Sequence, residues 1–160
     1  NWGFDYERNW LAQDLLMRDL LARRADEYRG YEGEIDIVGE AIVMWNSIYE
    51  VVDSFRARRP EWAFVKYESL ADDPIAGFRD LYRRLGLTWS DDVARKIGDF
   101  NSSQNPGEVP LWRRRAVKRD SGAAKRTWRE RLTPEEIERV RAGTNEIALR
   151  FYTEEELAGG

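Results

Sequence analysis

Cysteine and histidine are both absent from the 160 residues of this sequence. The lack of cysteine excludes disulfide bonds, thiolate catalysis and cysteine-ligated zinc sites. The lack of histidine excludes a Ser-His-Asp triad, an HExxH zinc site and any imidazole base supplied by this chain. Thiol and imidazole chemistry from within these 160 residues is therefore ruled out.

Long apolar runs are missing as well. No segment approaches the roughly 18 apolar residues that a membrane span needs, and no basic-then-apolar amino terminus indicates a signal peptide. The simplest expected location is the cytoplasm. A length of 160 residues, with 42% apolar and 35% charged residues, predicts one globular domain over 1–160. Because the sequence opens on Asn1 and not on Met, we expect it to be a fragment of a longer protein.

Positive charge is concentrated in one stretch. Between Leu111 and Arg131 there are nine Lys or Arg residues and two acidic residues, a local net charge of +7 in a chain that sums to −4. A basic stretch of this kind predicts a site for an anion. The anion is either a specific phosphate or a polyanion such as nucleic acid, and composition alone leaves both open.

Hydrophobic periodicity predicts a mainly helical chain. Apolar residues at spacings of three and four predict one long, packed helix from Ile37 to Arg58, ending before Pro60. The starts of three further helices are predicted from their cap residues, which are Asp73 followed by Pro74, Ser90, and Thr133 followed by Pro134. Glu136 completes a capping box with Thr133. Gly86 predicts the end of the helix that starts at Pro74.

The segment "WAFVKY", residues 62–67, predicts the one clear strand of the chain, because it is a short apolar run close to proline on either side. A single strand cannot form a sheet. We therefore expect either an almost wholly helical protein or a sheet whose other strands lie outside these 160 residues.

Two stretches together resemble a known family. "FVKYESLADDPIAGFRDLYRRLGL" (64–87) is followed, after a loop, by "RDSGAAKRTWRERLTPEEIERVRAGTNEIALRFY" (119–152). The pair, in this order, resembles the carboxy-terminal half of the sulfotransferases, which transfer a sulfuryl group from 3′-phosphoadenosine 5′-phosphosulfate (PAPS) to a hydroxyl or amine. The resemblance extends from about Trp2 to Tyr152. It implies an α/β, P-loop-like fold with a three-layer parallel sheet.

The resemblance also implies a set of cofactor-binding residues. Similar enzymes place the strand-end tyrosine and a serine-containing loop near the nucleotide, and they hold the 3′-phosphate with a basic loop. The matching residues here are Tyr67, Ser102, Ser103, Lys118, Arg119, Ser121 and Gly122. A guanidinium fork, a hydroxyl and backbone N–H groups suit a phosphate dianion, and glycine lets the main chain approach it. Asp120 and Ser121 depart from the family's usual Lys-Gly after the arginine.

Other parts of such an enzyme are not found in the sequence. The loop that binds the 5′-phosphosulfate is missing, and no catalytic residue can be assigned. Asp72/Asp73 and Asp91/Asp92 begin helices, where acidic residues are favoured, so we expect no metal site. The expected ligands are the nucleotide, as PAPS or its product 3′-phosphoadenosine 5′-phosphate (PAP), and a small-molecule, lipid or glycan acceptor. An oligomer is possible.

A second hypothesis comes from a different class. The chain could be a non-enzymatic helical module that binds nucleic acid or another polyanion through basic residues 113–131. That hypothesis predicts a steep loss of affinity with salt. The net negative charge of the whole chain and the lack of a nucleic-acid motif count against this hypothesis. For Arg113 to Arg115, acceptor binding and a merely solvated run both remain open.

Overall fold

The computed structural model describes residues 4–31, 36–105, 118, 120–124 and 127–159. These residues are mostly helical. The chain divides into two compact units: Asn1–Arg59 with Thr133–Gly160, and Pro60–Leu132. The expectation of a single domain over 1–160 stays a prediction. In the described part of the chain, no helix combines the length and the apolar character needed to cross a membrane.

The first unit begins with short, irregular helical turns. These are the π-helical turns Glu7–Leu11 and Met17–Leu21, the 3-10 turn Ala22–Arg24, and helices α1 (Asp14–Leu16) and α2 (Ala25–Arg29). They surround Tyr6, whose ring centroid lies 4.8–5.9 Å from those of four neighbouring aromatic residues, Phe4, Trp10, Tyr28 and Tyr31. These aromatic rings form one hydrophobic cluster together with Leu21 and Val43.

Helix α3 (Ile37–Arg58) confirms the predicted long helix. Asp36 caps it by accepting a hydrogen bond from the backbone N–H of Gly39 at 3.0 Å. The helix ends at Arg58, and the backbone of Arg59 is non-helical, as expected of the residue before a proline.

The buried face of α3 differs from the predicted apolar stripe. Ile48, one of the apolar residues at spacings of three and four along this helix, is 48% exposed, whereas the polar residues Glu40 and Ser47 are buried. The reason is tertiary: the backbone N–H of Phe4 donates to Glu40 Oε2 at 2.6 Å, and Tyr28 Oη donates to Ser47 Oγ at 2.8 Å. Buried polar groups that find such partners are tolerated, and apolar periodicity cannot reveal them.

Helices α9 (Pro134–Ala148) and α10 (Glu154–Gly159) complete the first unit. The Thr133–Glu136 capping box is confirmed, with hydrogen bonds in both directions. Helix α9 ends at Ala148, three residues before Phe151. Phe151 still packs edge-on against Tyr49 of α3, with a centroid distance of 4.9 Å.

The second unit contains helices α4 (Tyr67–Asp72), α5 (Pro74–Arg84), α6 (Asp91–Asn101), α7 (Ser121–Ala124) and α8 (Trp128–Arg131). The predicted caps are confirmed: Asp73 accepts from Ala76 N–H at 3.0 Å, and Ser90 accepts from Val93 N–H at 3.3 Å. Gly86 follows α5 with φ +66°, a conformation that glycine adopts without strain.

The predicted strand over 62–67 is wrong. Residues 63–66 have no regular secondary structure, although Lys66 is extended, and Tyr67 is already the first residue of α4. An extended segment becomes a strand only when its backbone groups pair with another strand. The described residues include no other strand that could pair with it. The parallel sheet implied by the sulfotransferase resemblance therefore remains part of a proposal.

Candidate functional site

All of the predicted cofactor-binding residues belong to the second unit. Tyr67 begins α4 and is 53% exposed. Ser102 and Ser103 follow the end of α6, and Ser121 and Gly122 are the first two residues of α7. Lys118 is exposed. Arg119 lies outside the described residues, so its predicted contact with a phosphate stays a prediction.

A hydrogen bond joins two of the predicted segments. Ser121 Oγ donates to Asn101 Oδ1 at 2.5 Å, although the two residues are 20 positions apart in sequence. The other end of the same amide is also held, because Asn101 Nδ2 donates to the backbone oxygen of Ile97 at 2.8 Å. The last turn of α6 and the first turn of α7 therefore lie side by side.

A second contact links the same two segments. The ammonium nitrogen of Lys118 lies 5.9 Å from the ring centroid of Phe100, the neighbour of Asn101 on α6. This is within the range of a cation–π interaction. Phe100 is 44% exposed, so its ring and the Lys118 ammonium lie at the surface of the unit. Together these contacts place an ammonium group and a hydroxyl at one end of α6.

The serine loop after α6 is closed by its own hydrogen bonds. Ser102 Oγ accepts from Gln104 N–H at 3.2 Å, and the backbone oxygen of Ser102 accepts from Asn105 N–H at 2.9 Å. Asn105 Nδ2 also reaches back to the backbone oxygen of Asp99 at 2.9 Å. Within the described residues, the Ser102 hydroxyl acts only as an acceptor, which leaves its hydrogen for a ligand, and the exposed Ser103 lies next to it.

The helix that starts at Tyr67 adjoins the same region, since α4 contacts α7. The exposed ring of Tyr67 is a flat surface on which a base could stack.

One feature opposes anion binding: the carboxylate of Asp120 lies between Lys118 and Ser121 in sequence. Asp120 Oδ1 accepts a hydrogen bond from Ala123 N–H at 3.0 Å and so caps α7.

Sequence reasoning assigned neither Phe100 nor the role of Asn101. No pattern in the sequence points to the hydrogen bond between Asn101 and Ser121, which lie 20 positions apart. Phe100 gave no signal because an apolar residue near a helix end normally packs inside. The polyanion hypothesis rests on the basic residues of 113–131, and six of these nine lie outside the described part of the chain: Arg113, Arg114, Arg115, Arg119, Lys125 and Arg126.

The first unit carries one further concave feature. A cleft of about 240 Å³ is lined by Arg141, Thr144, Asn145, Ala148 and Leu157, from α9 and α10. No sequence pattern predicted it. Its single arginine and single amide do not match the predicted cofactor site, which lies entirely in the second unit.

Comparison of the chain with protein-family models, curated proteins and solved structures finds no match. The sulfotransferase resemblance therefore depends on the two sequence motifs alone.

Proposed function

We propose that this chain supplies the adenine and 3′-phosphate side of the cofactor site in a PAPS-dependent sulfotransferase. The observation that carries the proposal is the hydrogen bond between Ser121 and Asn101. It joins the serine-loop segment to the basic segment, and these are the two segments that the resemblance assigns to one nucleotide. The contact shows that these two segments, 20 residues apart in sequence, lie close enough to act on a single ligand.

The donors at this place suit the 3′-phosphate of PAP. Lys118 provides an ammonium group, Ser102 a free hydroxyl hydrogen, and Gly122 a backbone open to close approach. Arg119, by the resemblance, adds a guanidinium fork. Tyr67 adds an exposed aromatic ring for the adenine. The set therefore contains charge, hydroxyl and stacking components of the kind that a phosphorylated nucleoside requires.

When bound, PAPS supplies the sulfuryl group, which the acceptor oxygen or nitrogen takes by in-line attack on sulfur as the bond to the bridging oxygen breaks. The residues of this chain would hold and orient the adenine and 3′-phosphate end of the nucleotide. The negative charge that grows on the bridging oxygen at the 5′-phosphate would be met by the 5′-phosphosulfate loop, which is not found in this sequence. No residue of this sequence is assigned as the base that removes the acceptor proton. The proposal includes a cytoplasmic location and a small-molecule, lipid or glycan acceptor.

Calorimetric titration of the whole chain with PAP, and with AMP as the reference, tests the proposal. We expect tighter binding of PAP, because only PAP carries the 3′-phosphate. Arg119→Ala should reduce that preference by about 10- to 100-fold, since hydrogen bonds to charged groups contribute about 1.5–3 kcal/mol. Lys118→Ala should reduce the preference by a smaller factor. Arg84→Ala, which removes an exposed charge at the end of α5, is the matched control and should leave the preference unchanged.

Equal affinity of the folded wild-type chain for PAP and AMP would contradict the proposal. The polyanion hypothesis makes a different prediction for the same sample. The chain would bind a short oligonucleotide tightly at low salt, and its affinity would fall steeply as the salt concentration rises. A 3′-phosphate on the oligonucleotide would not change that affinity.

A further inference from the structure

Ser121 has one hydroxyl hydrogen, and the structure shows where that hydrogen goes. Asn101 Nδ2 is engaged by the carbonyl of Ile97, so the amide presents its oxygen to Ser121. An amide oxygen only accepts hydrogen bonds. The hydroxyl of Ser121 must therefore be the donor in this contact, and its remaining capacity consists of lone pairs.

This arrangement has a chemical consequence for an anion. A phosphate dianion offers only acceptor oxygens, so it gains nothing from a hydroxyl that presents lone pairs. Ser121 can bond to phosphate only if its hydrogen leaves Asn101. We propose that Asn101 competes with the 3′-phosphate for the hydroxyl hydrogen of Ser121 and so weakens phosphate binding at this site. This inference rests on the proposed function.

Asn101 is not needed to keep Ser121 in position. The start of α7 is capped independently, because Asp120 Oδ1 accepts from the backbone N–H of Ala123 at 3.0 Å. Lys118 contacts Phe100 through its own side chain. Removing the Asn101 acceptor thus frees the hydrogen and leaves these other contacts in place. A residue that merely positioned Ser121 would have the opposite effect on affinity.

A double-mutant cycle separates the two roles. Wild type, Asn101→Leu, Ser121→Ala and the double variant are each titrated with PAP and AMP, and the ratio of the two dissociation constants is compared. We expect Asn101→Leu to raise the preference for PAP about fivefold, the net value of one ordinary hydrogen bond. Ser121→Ala should then cost about fivefold more in the Asn101→Leu background than in wild type.

The outcomes distinguish this inference from the proposed function. A wild-type chain without preference for PAP overturns both. Suppose that the wild-type chain prefers PAP and that Asn101→Leu, shown to be folded by circular dichroism, leaves this preference unchanged or lowers it. That result overturns only the inference that Asn101 competes with the phosphate. If Asn101→Leu does not fold, Asn101→Ala replaces it, because alanine also lacks the acceptor and favours a helix. Asn101→Asp keeps an acceptor and adds a negative charge, so its preference for PAP should fall below that of wild type.

Discussion

Asn46 in α3 donates a hydrogen bond from Nδ2 to the backbone oxygen of Gly143 in α9, 2.9 Å away. The amide oxygen of Asn46 is buried and has no hydrogen-bond partner among the described residues. The side chain of Ile42 packs directly against Gly143, because a Cβ on Gly143 would lie 2.8 Å from Ile42 Cγ2 and 3.0 Å from Ile42 Cδ1. The contact between α3 and α9 therefore depends on the absence of a side chain at residue 143.

Gly143→Ala should lower the free energy of unfolding. Overpacking costs about 1–3 kcal/mol, while the better helix propensity of alanine returns about 1 kcal/mol. We expect a net loss of up to about 2 kcal/mol from these two terms, measured by urea denaturation.

The matched control for this substitution is made in an Ile42→Ala background, which removes both atoms that the new Cβ would meet. There, Gly143→Ala should raise the free energy of unfolding by about 1 kcal/mol, through helix propensity alone. If Gly143→Ala has the same sign in both backgrounds, contact with Ile42 is not what requires glycine.

Alkaline pH should destabilise the first unit. Burial raises the pKa of Tyr6 and Tyr28 above the usual value for tyrosine, and the negative charge of Glu40 adds to the effect at Tyr6. Burial also raises the pKa of Tyr31. A raised folded-state pKa contributes stability that is fully present below the unfolded pKa of about 10 and is lost as pH rises beyond it. Denaturation curves at pH 8 to 11 should therefore show the free energy of unfolding falling near and above pH 10.

Tyr6→Phe tests the origin of that fall. The variant loses the hydrogen bond from Tyr6 Oη to the backbone oxygen of Glu40, which lowers stability at all pH values. Its free energy of unfolding should nevertheless depend less steeply on pH above 10, because the unfolded chain no longer contains the Tyr6 phenol, whose ionisation there favours unfolding. Identical slopes for wild type and Tyr6→Phe would show that Tyr6 does not contribute to the alkaline loss.

Asp120→Asn should increase the affinity for PAP. Asparagine caps a helix about as well as aspartate, so the hydrogen bond to Ala123 N–H can be kept while the negative charge is removed. We expect the preference for PAP over AMP to rise several-fold, and the gain to shrink with salt, since the interaction is between charges. Asp91→Asn, at the opposite end of α6, is the control. An equal gain in both variants would indicate a general charge effect and not a local one.

Sequence reasoning was most successful where structure depends on near neighbours. Three helix starts follow from their cap residues: Asp73 for α5, Ser90 for α6 and Thr133 for α9. A cap is a hydrogen bond to a backbone group two or three residues away, so its signature is local. The end of α3 before Pro60 follows from an equally local steric clash.

Tertiary structure decided what local patterns could not. Whether residues 62–67 form a strand depends on a pairing partner, which no property of "WAFVKY" itself can provide. The burial of Glu40 depends on the backbone of Phe4, 36 residues away, and the state of the Ser121 hydroxyl depends on Asn101, 20 residues away. The sequence by itself therefore determined the starts of α5, α6 and α9 and the end of α3, because their signals lie within a few residues. Only the fold decided which polar groups are buried and which hydroxyl hydrogen is engaged, because those depend on residues brought together from distant positions.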